Sequence, residues 1–173
     1  MLHAWRTSYL FVYISILVIN AGCFTANKVV KHSIPELAAN NASFQQQFLT
    51  AVNSVRVKAR KCGTSSFSAA PPLSLESKLN YAAYKHSLDM SENQFLGHTS
   101  SNGDTLVERM QNVNYLWSAV GENIAYNQKD IEQVIGDWLS SPGHCRNLMS
   151  HEYTQTGVAL VNKYWTQVYA APK

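Results

Sequence analysis

Three polar side chains give this 173-residue chain its chemical interest: His98 in GHTSSNGDT (97–105), Glu122 in GEN (121–123) and His144 in WLSSPGHCRNLMS (138–150). Two imidazoles and a carboxylate are donor types that hold zinc or another divalent ion, and a carboxylate beside a water can act as a general base. The three are separated by more than twenty residues at each step, so spacing alone does not show that they converge. Cys145, next to His144, adds three readings: a nucleophile, a metal ligand or half of a disulfide. Each feature also has a plain reading. Glu122 is either a solvated loop carboxylate or a partly buried group that needs a partner. His86 falls on the apolar face of a helix, where a hydrogen-bonded core histidine is expected. His98 differs, because it projects from a polar, Gly-containing loop of the kind on which sites are built. The chain has no twelve-residue calcium loop, Gly-rich phosphate loop or HExxH helix.

The opening MLHAWRTSYLFVYISILVINAGC has one early charge at Arg6, an apolar core from Tyr9 to Ile19, and small residues at Ala21 and Gly22. Residues 1–23 therefore read as a signal peptide, since the apolar run is about half of the ~20 residues a spanning helix needs. Cys23 after Ala-Gly resembles the lipobox of bacterial lipoproteins, in which the cysteine receives a diacylglyceryl group. Asn20 stands where that motif usually has Leu, so lipidation of Cys23 and plain secretion both stay open. Residues 24–43 read as a tether and 44–173 as one domain. The expected location is extracytoplasmic (secreted, periplasmic or envelope-anchored), with membrane contact only through a lipid on Cys23.

Outside the cytoplasm thiols tend to pair. If Cys23 is spent on lipid or lost with the signal, Cys62 and Cys145 remain as an even pair. A disulfide between them would close a loop of about 80 residues, worth roughly 4 to 5 kcal/mol on chain-entropy grounds. The composition is ordinary for a globular domain: 46% hydrophobic, 14% charged, formal net charge +3. Lys and Arg are scattered, with no basic stretch interleaved with aromatics, so nucleic acid is not an expected partner.

The elements that must position these residues follow from periodicity and caps. Ser43-Phe-Gln-Gln46 is a capping-box pattern, and Phe44, Phe48, Leu49, Val52 and Val55 predict a helix to about Arg60. A second helix, with Ser74 as N-cap, carries Leu75, Leu79, Ala82, Ala83, His86 and Met90 on one face. Thr105 and Glu108 open a short third helix through Met110. Asp130 starts a fourth, with Ile131, Val134, Ile135, Trp138 and Leu139 inward, and Pro142-Gly143 is expected to stop it. Strands are expected at 123–126, 156–161 and 164–170, the last two as a hairpin around Asn162 and Lys163. Helices first and a hairpin last predict an α+β fold, a small antiparallel sheet flanked by helices.

HSLDM (86–90), GHTSSNG (97–103), RMQNVNYLWSAVGENIA (109–125), WLSSPGHCRNLM (138–149) and YTQTGVAL (153–160) occur in that order. Over about residues 45–171 the chain resembles the bacterial branch of the CAP superfamily, which also holds cysteine-rich secretory proteins, insect venom antigens and plant pathogenesis-related proteins. The resemblance implies an α-β-α sandwich with a three-stranded antiparallel core. It also implies a cleft that in many members carries two histidines and two acids able to hold zinc or another divalent ion. His98 matches the first histidine, Glu122 the glutamate of GEN and His144 the second histidine. The second acid of eukaryotic members falls at Ser141, so three ligands and one charge fewer remain, which should weaken a dication. The resemblance further implies that Cys145 pairs with Cys62 and is structural.

Three functions compete. The first is a non-catalytic binding module, expected to act as a monomer, whose cleft takes a lipid, a sterol, another hydrophobic ligand or a protein partner. The second is a metal-dependent hydrolase with Glu122 as base, although no nucleophile elbow is present. The third is an envelope or host-contact scaffold in which the polar cluster only ties loops together.

Overall fold

The computed structural model describes residues 34–173, with side chains from residue 42. The expected signal peptide, Cys23 and the first part of the tether lie outside the described residues. Helix α1 (Ile34–Arg56) begins well ahead of Phe44, so residues 34–43, read as tether, are helical. Ser43 is inside this helix, its hydroxyl accepting from Gln47 Nε2 at 3.1 Å, and it does not cap it. The helix stops at Arg56 and not near Arg60, since β1 (Arg60–Cys62) is already paired antiparallel with β2 (Ser65–Phe67).

Ser74 is not a helix cap either. With Leu75 it forms β3 (Ser74–Leu75), parallel to β5 (Gln155–Val161), and the Ser74 N–H is used on Thr154 O at 3.0 Å. Helix α2 (Ser77–Asn93) is capped by Glu76, whose carboxylate accepts the Lys78 N–H. Helix α3 (Leu106–Asn112) has the expected box, the Thr105 N–H donating to Glu108 at 2.6 Å. Strand β4 (Trp117–Tyr126) is longer than the apolar NIAY run, which puts Glu122 inside it and not in front of it. Asp130 caps α4 (Ile131–Ser140) by accepting the Gln133 N–H at 2.8 Å.

Pro142-Gly143 does more than stop α4. Ser141 ends that helix and begins α5 (Pro142–Met149), with Pro142 in the first helical positions, where the missing N–H costs nothing and the fixed φ already suits a helix. His144 and Cys145 therefore stand in the first turn of a helix. Strands β5 and β6 (Tyr164–Pro172) form the expected hairpin, and Asn162 and Lys163 between them both have positive φ, 45° and 74°. These values fit a two-residue turn matched to strand twist.

The sheet order is β3-β5-β6-β4, antiparallel apart from the short β3 edge. Period-two alternation assigns its faces. Val158, Trp165 and Tyr169 pack with Phe48 and Val52 of α1, Val134, Ile135 and Trp138 of α4, and Leu148 of α5. Ala159, Val168 and Ala170 pack with Leu79, Ala82 and Ala83 of α2 and Met110 of α3. The result is an α-β-α sandwich. At Gly157 a Cβ would meet the carbonyl carbon of Leu79 and the N of Asn80 at 2.1 Å, so α2 lies directly on the sheet backbone. Strand β4 is an edge, and side chains of α4, α5 and the segment before β5 guard it: Trp138 Nε1 donates to Ile124 O, Asn147 Nδ2 to Glu122 O and the Tyr153 hydroxyl to Val120 O. Every second carbonyl of this edge strand from Val120 to Ile124 is thus occupied, which blunts edge-to-edge pairing. No described helix is long and apolar enough to cross a membrane.

Candidate functional site

Glu122 and Asn123 are neighbours on β4 and point to opposite faces. Glu122 pairs with Val168 in the β4–β6 register, on the α2 side; Asn123 pairs with Gln167, on the α5 side. The glycine before them has a steric reason, because a Cβ at Gly121 would lie 2.4 Å from the Tyr153 hydroxyl.

The Glu122 side chain is only 2% exposed, and both its oxygens are taken. Oε1 accepts from His98 Nδ1 at 2.8 Å and Oε2 from Arg109 Nη2 at 2.6 Å. Arg109 comes from α3 and is itself buried. Its Nη1 donates to His98 O at 2.8 Å, Ser100 Oγ at 3.2 Å and Asp104 O at 3.2 Å. One guanidinium therefore holds both the carboxylate and the loop that carries His98. With Nδ1 donating inward, the neutral His98 ring has Nε2 as its acceptor, and the side chain is 58% exposed.

His86 lies beneath, fully buried. Its Nε2 meets Gly97 O at 2.9 Å and so carries the hydrogen, while Nδ1 meets the Ser100 hydroxyl at 3.3 Å. Burial pushes its pKa below the ordinary value, outweighing the upward pull of Glu122, which lies 3.9 Å away. This is the hydrogen-bonded core histidine expected from the helix face. Asp89 of α2 anchors the same loop, accepting from the Ser101 N–H at 2.8 Å and from Asn93.

His144 approaches from the other side. Burial lowers its pKa, and the charge of His98 lowers it further, so the two rings are within electrostatic reach. Its ring centroid is 6.3 Å from that of Trp138. The His144 backbone is fixed by Asn123, whose Nδ2 donates to His144 O at 3.1 Å and to the Tyr169 hydroxyl at 3.0 Å, while Asn147 donates back to Asn123 Oδ1. Its ring bonds neither Glu122 nor His98. The Ser141 hydroxyl caps no helix, and its backbone joins α4 to α5. Cys62 and Cys145 form a disulfide across a sequence separation of 83, with Cα atoms 5.4 Å apart, so Cys145 is neither nucleophile nor ligand.

The donor set does not fit a divalent ion. Among the described residues no three His, Cys, Asp or Glu side chains are grouped to hold one. Glu122 is already neutralised by Arg109, and Ser141 brings no charge. The structure brings His98 and Glu122 together with Arg109, and His144 stands beside that cluster without a bond to either His98 or Glu122. Glu122, the base expected in the hydrolase reading, has both carboxylate oxygens engaged, one by His98 and one by Arg109. Sequence reasoning missed Arg109 and Asn123. The one signal for Arg109 was the need of a partly buried Glu122 for a partner, which names no residue.

A family model described as CAP, the cysteine-rich secretory protein family, matches residues 49–169. YlbC of Bacillus subtilis, described as an uncharacterized membrane protein, is 39% identical over 85 residues, 49% of this chain and 25% of that protein. The uncharacterized protein YkwD of the same organism is 31% identical over 100 residues, 57% of this chain and 39% of that protein. The chain thus spans well under half the length of these relatives. Among solved structures, an extracellular protein of Bacillus anthracis containing an SCP domain is 28% identical with a TM-score of 0.66, covering 79% of this chain and 42% of that one. An outer surface protein of Borrelia burgdorferi, at 15% identity and TM-score 0.60, covers 78% of this chain and 94% of that one and shares the fold.

Proposed function

We propose a function from one premise: the chain belongs to the CAP, or cysteine-rich secretory protein, family. It is an extracytoplasmic binding module, non-catalytic, that offers the surface around His98 and His144 to an amphiphilic ligand. The observation that carries this reading is the occupancy of Glu122. With its carboxylate locked between His98 and Arg109, the groups left to meet a ligand are an exposed imidazole and, two residues before it, the apolar Leu96, 54% exposed. A polar tip beside an apolar body suits a hydrogen-bonding head group with an acyl tail. The signal-like residues 1–23, with or without lipid on Cys23, supply the export route, and the extracellular SCP-domain relative supports the location.

Titration of the mature protein with a fluorescent fatty acid below its micellar concentration tests this. Saturable binding is expected, weakened roughly tenfold, ~1.4 kcal/mol, by Leu96→Ser, which removes one exposed apolar contact. No saturable binding in the wild type overturns it.

One observation favours a second reading. A carboxylate at 2.8 Å from His98 Nδ1 is also how a general base is oriented, so a hydrolase of this fold would use His98 and not Glu122 as base. Against it, Ser100 is committed to His86 and Arg109, and Cys145 is in a disulfide, so among the described residues no hydroxyl or thiol is paired with His98. Turnover of p-nitrophenyl acetate that is lost in His98→Ala would install this reading in place of binding.

A further inference from the structure

We infer that Arg109 is the resident cation of this site, neutralising Glu122 and fixing His98 from within the fold, so that the cluster keeps its geometry without a metal ion. This holds whether the surface binds a ligand or hydrolyses one.

A carboxylate that is 2% exposed requires a compensating charge or hydrogen bonds. The guanidinium supplies both, since it is planar, permanently charged and carries donors in a fixed fork. Its two terminal nitrogens divide the work. Nη2 meets Glu122 Oε2 at 2.6 Å, and Nη1 meets His98 O at 2.8 Å. Residue 98 is thereby held twice, by its carbonyl through Arg109 directly and by its ring through Glu122. The Glu122 contact selects the Nδ1–H form of that ring. A dication brought to Glu122 would have to displace the His98 hydrogen bond and sit against the guanidinium, which like-charge repulsion disfavours. Of the two neighbouring imidazoles, His86 is spent on Gly97 O and Ser100, and the His144 ring bonds neither Glu122 nor His98. Arg109 is a positioning residue: it acts on the surface through His98.

The test follows the His98 ring in long-range proton–nitrogen NMR spectra of the mature protein labelled with nitrogen-15. The wild type should give the Nδ1–H form in the presence of EDTA, unchanged by an equimolar addition of zinc. Arg109→Gln should lose that preference and gain at least tenfold in zinc affinity, whereas Arg109→Lys, which keeps the charge, should stay indifferent to zinc. A His98 signature that vanishes on chelation, or stoichiometric zinc at His98 in the wild type, overturns the proposal. If Arg109→Gln fails to fold, the wild-type arms and Arg109→Lys still decide it.

Discussion

Glu122 makes the local chemistry a matter of pairing and not of reactivity. Glu122→Gln preserves shape but leaves Arg109 buried without its counter-charge. Removing one partner of a buried pair costs about 3 to 5 kcal/mol, so urea midpoints should show a loss of that order while the fold survives. His86 carries a pH dependence whose sign follows from its depressed pKa. The unfolded chain takes up this proton at a higher pH than the folded one, so below the ordinary imidazole range the unfolded state binds more protons and stability falls with pH. The loss levels off only when folded His86 itself protonates. An NMR titration of the His86 ring should give a midpoint below 6.5, and guanidinium midpoints should drop between about pH 7 and pH 5. His144, shifted in the same direction, adds to that slope. At this scale the two histidines and Glu122 were legible as types in loops and at a strand. Arg109 was not, because a basic residue on a short helix looks like any solvated charge until the sheet brings Glu122 against it.

The helices and strands were legible where a pattern is local and obscure where two signals coincide. Asp130 and Thr105 announced their helices, and Asn162-Lys163 its hairpin. Pro142-Gly143 reads as a stop because Pro ends the preceding helix, yet the same residue suits the start of the next one, and only packing decides. The α5 turn that carries His144 depends on Asn123. That side chain serves His144 O, the Tyr169 hydroxyl and Asn147, and the Tyr169 hydroxyl passes on to Gln167 Oε1 at 2.6 Å. Asn123→Ala would leave several buried polar groups without partners, each costing about 1 to 3 kcal/mol. Thermal melts should show a clear loss, and the NMR signals of the His144 ring should move while those of His98, on the opposite face, stay. A harsher change at the same scale is Gly157→Ala. Its Cβ meets helix backbone and not a movable side chain, so α2 must lift from the sheet, at about 3 kcal/mol or more. Loss of the cooperative melt would be the measurement.

Among the described residues the two helical layers meet the sheet through separate cores, and the disulfide lies in a third cluster, with Met149 against Val55, Phe67 and Leu139. Cys145 is the residue after His144, so the covalent link that fastens α5 to the β1–β2 hairpin also limits how far the α5 face of the site can move. Arg56 is a second fastening. It is fully buried and donates to Pro71 O, Leu148 O and Tyr153 O, which ties α1 to the last turn of α5. The two fastenings act on different states of the chain. Arg56 strengthens the folded form, whereas the disulfide acts chiefly by restricting the unfolded one across a separation of 83 residues. Reduction should therefore lower stability by about 4 to 5 kcal/mol on the chain-entropy estimate while leaving the native contacts largely in place. With Arg56 and the Asn123 network still holding α5, the reduced protein below its melting point should keep the same His98 and His144 ring signals as the oxidised protein. Guanidinium unfolding with and without reductant measures the first quantity, and NMR of the two rings the second. A large stability loss with unmoved rings would place the disulfide's effect in the unfolded chain. Displaced His144 signals at full native circular dichroism would instead make the Cys62–Cys145 bond part of the site's own architecture.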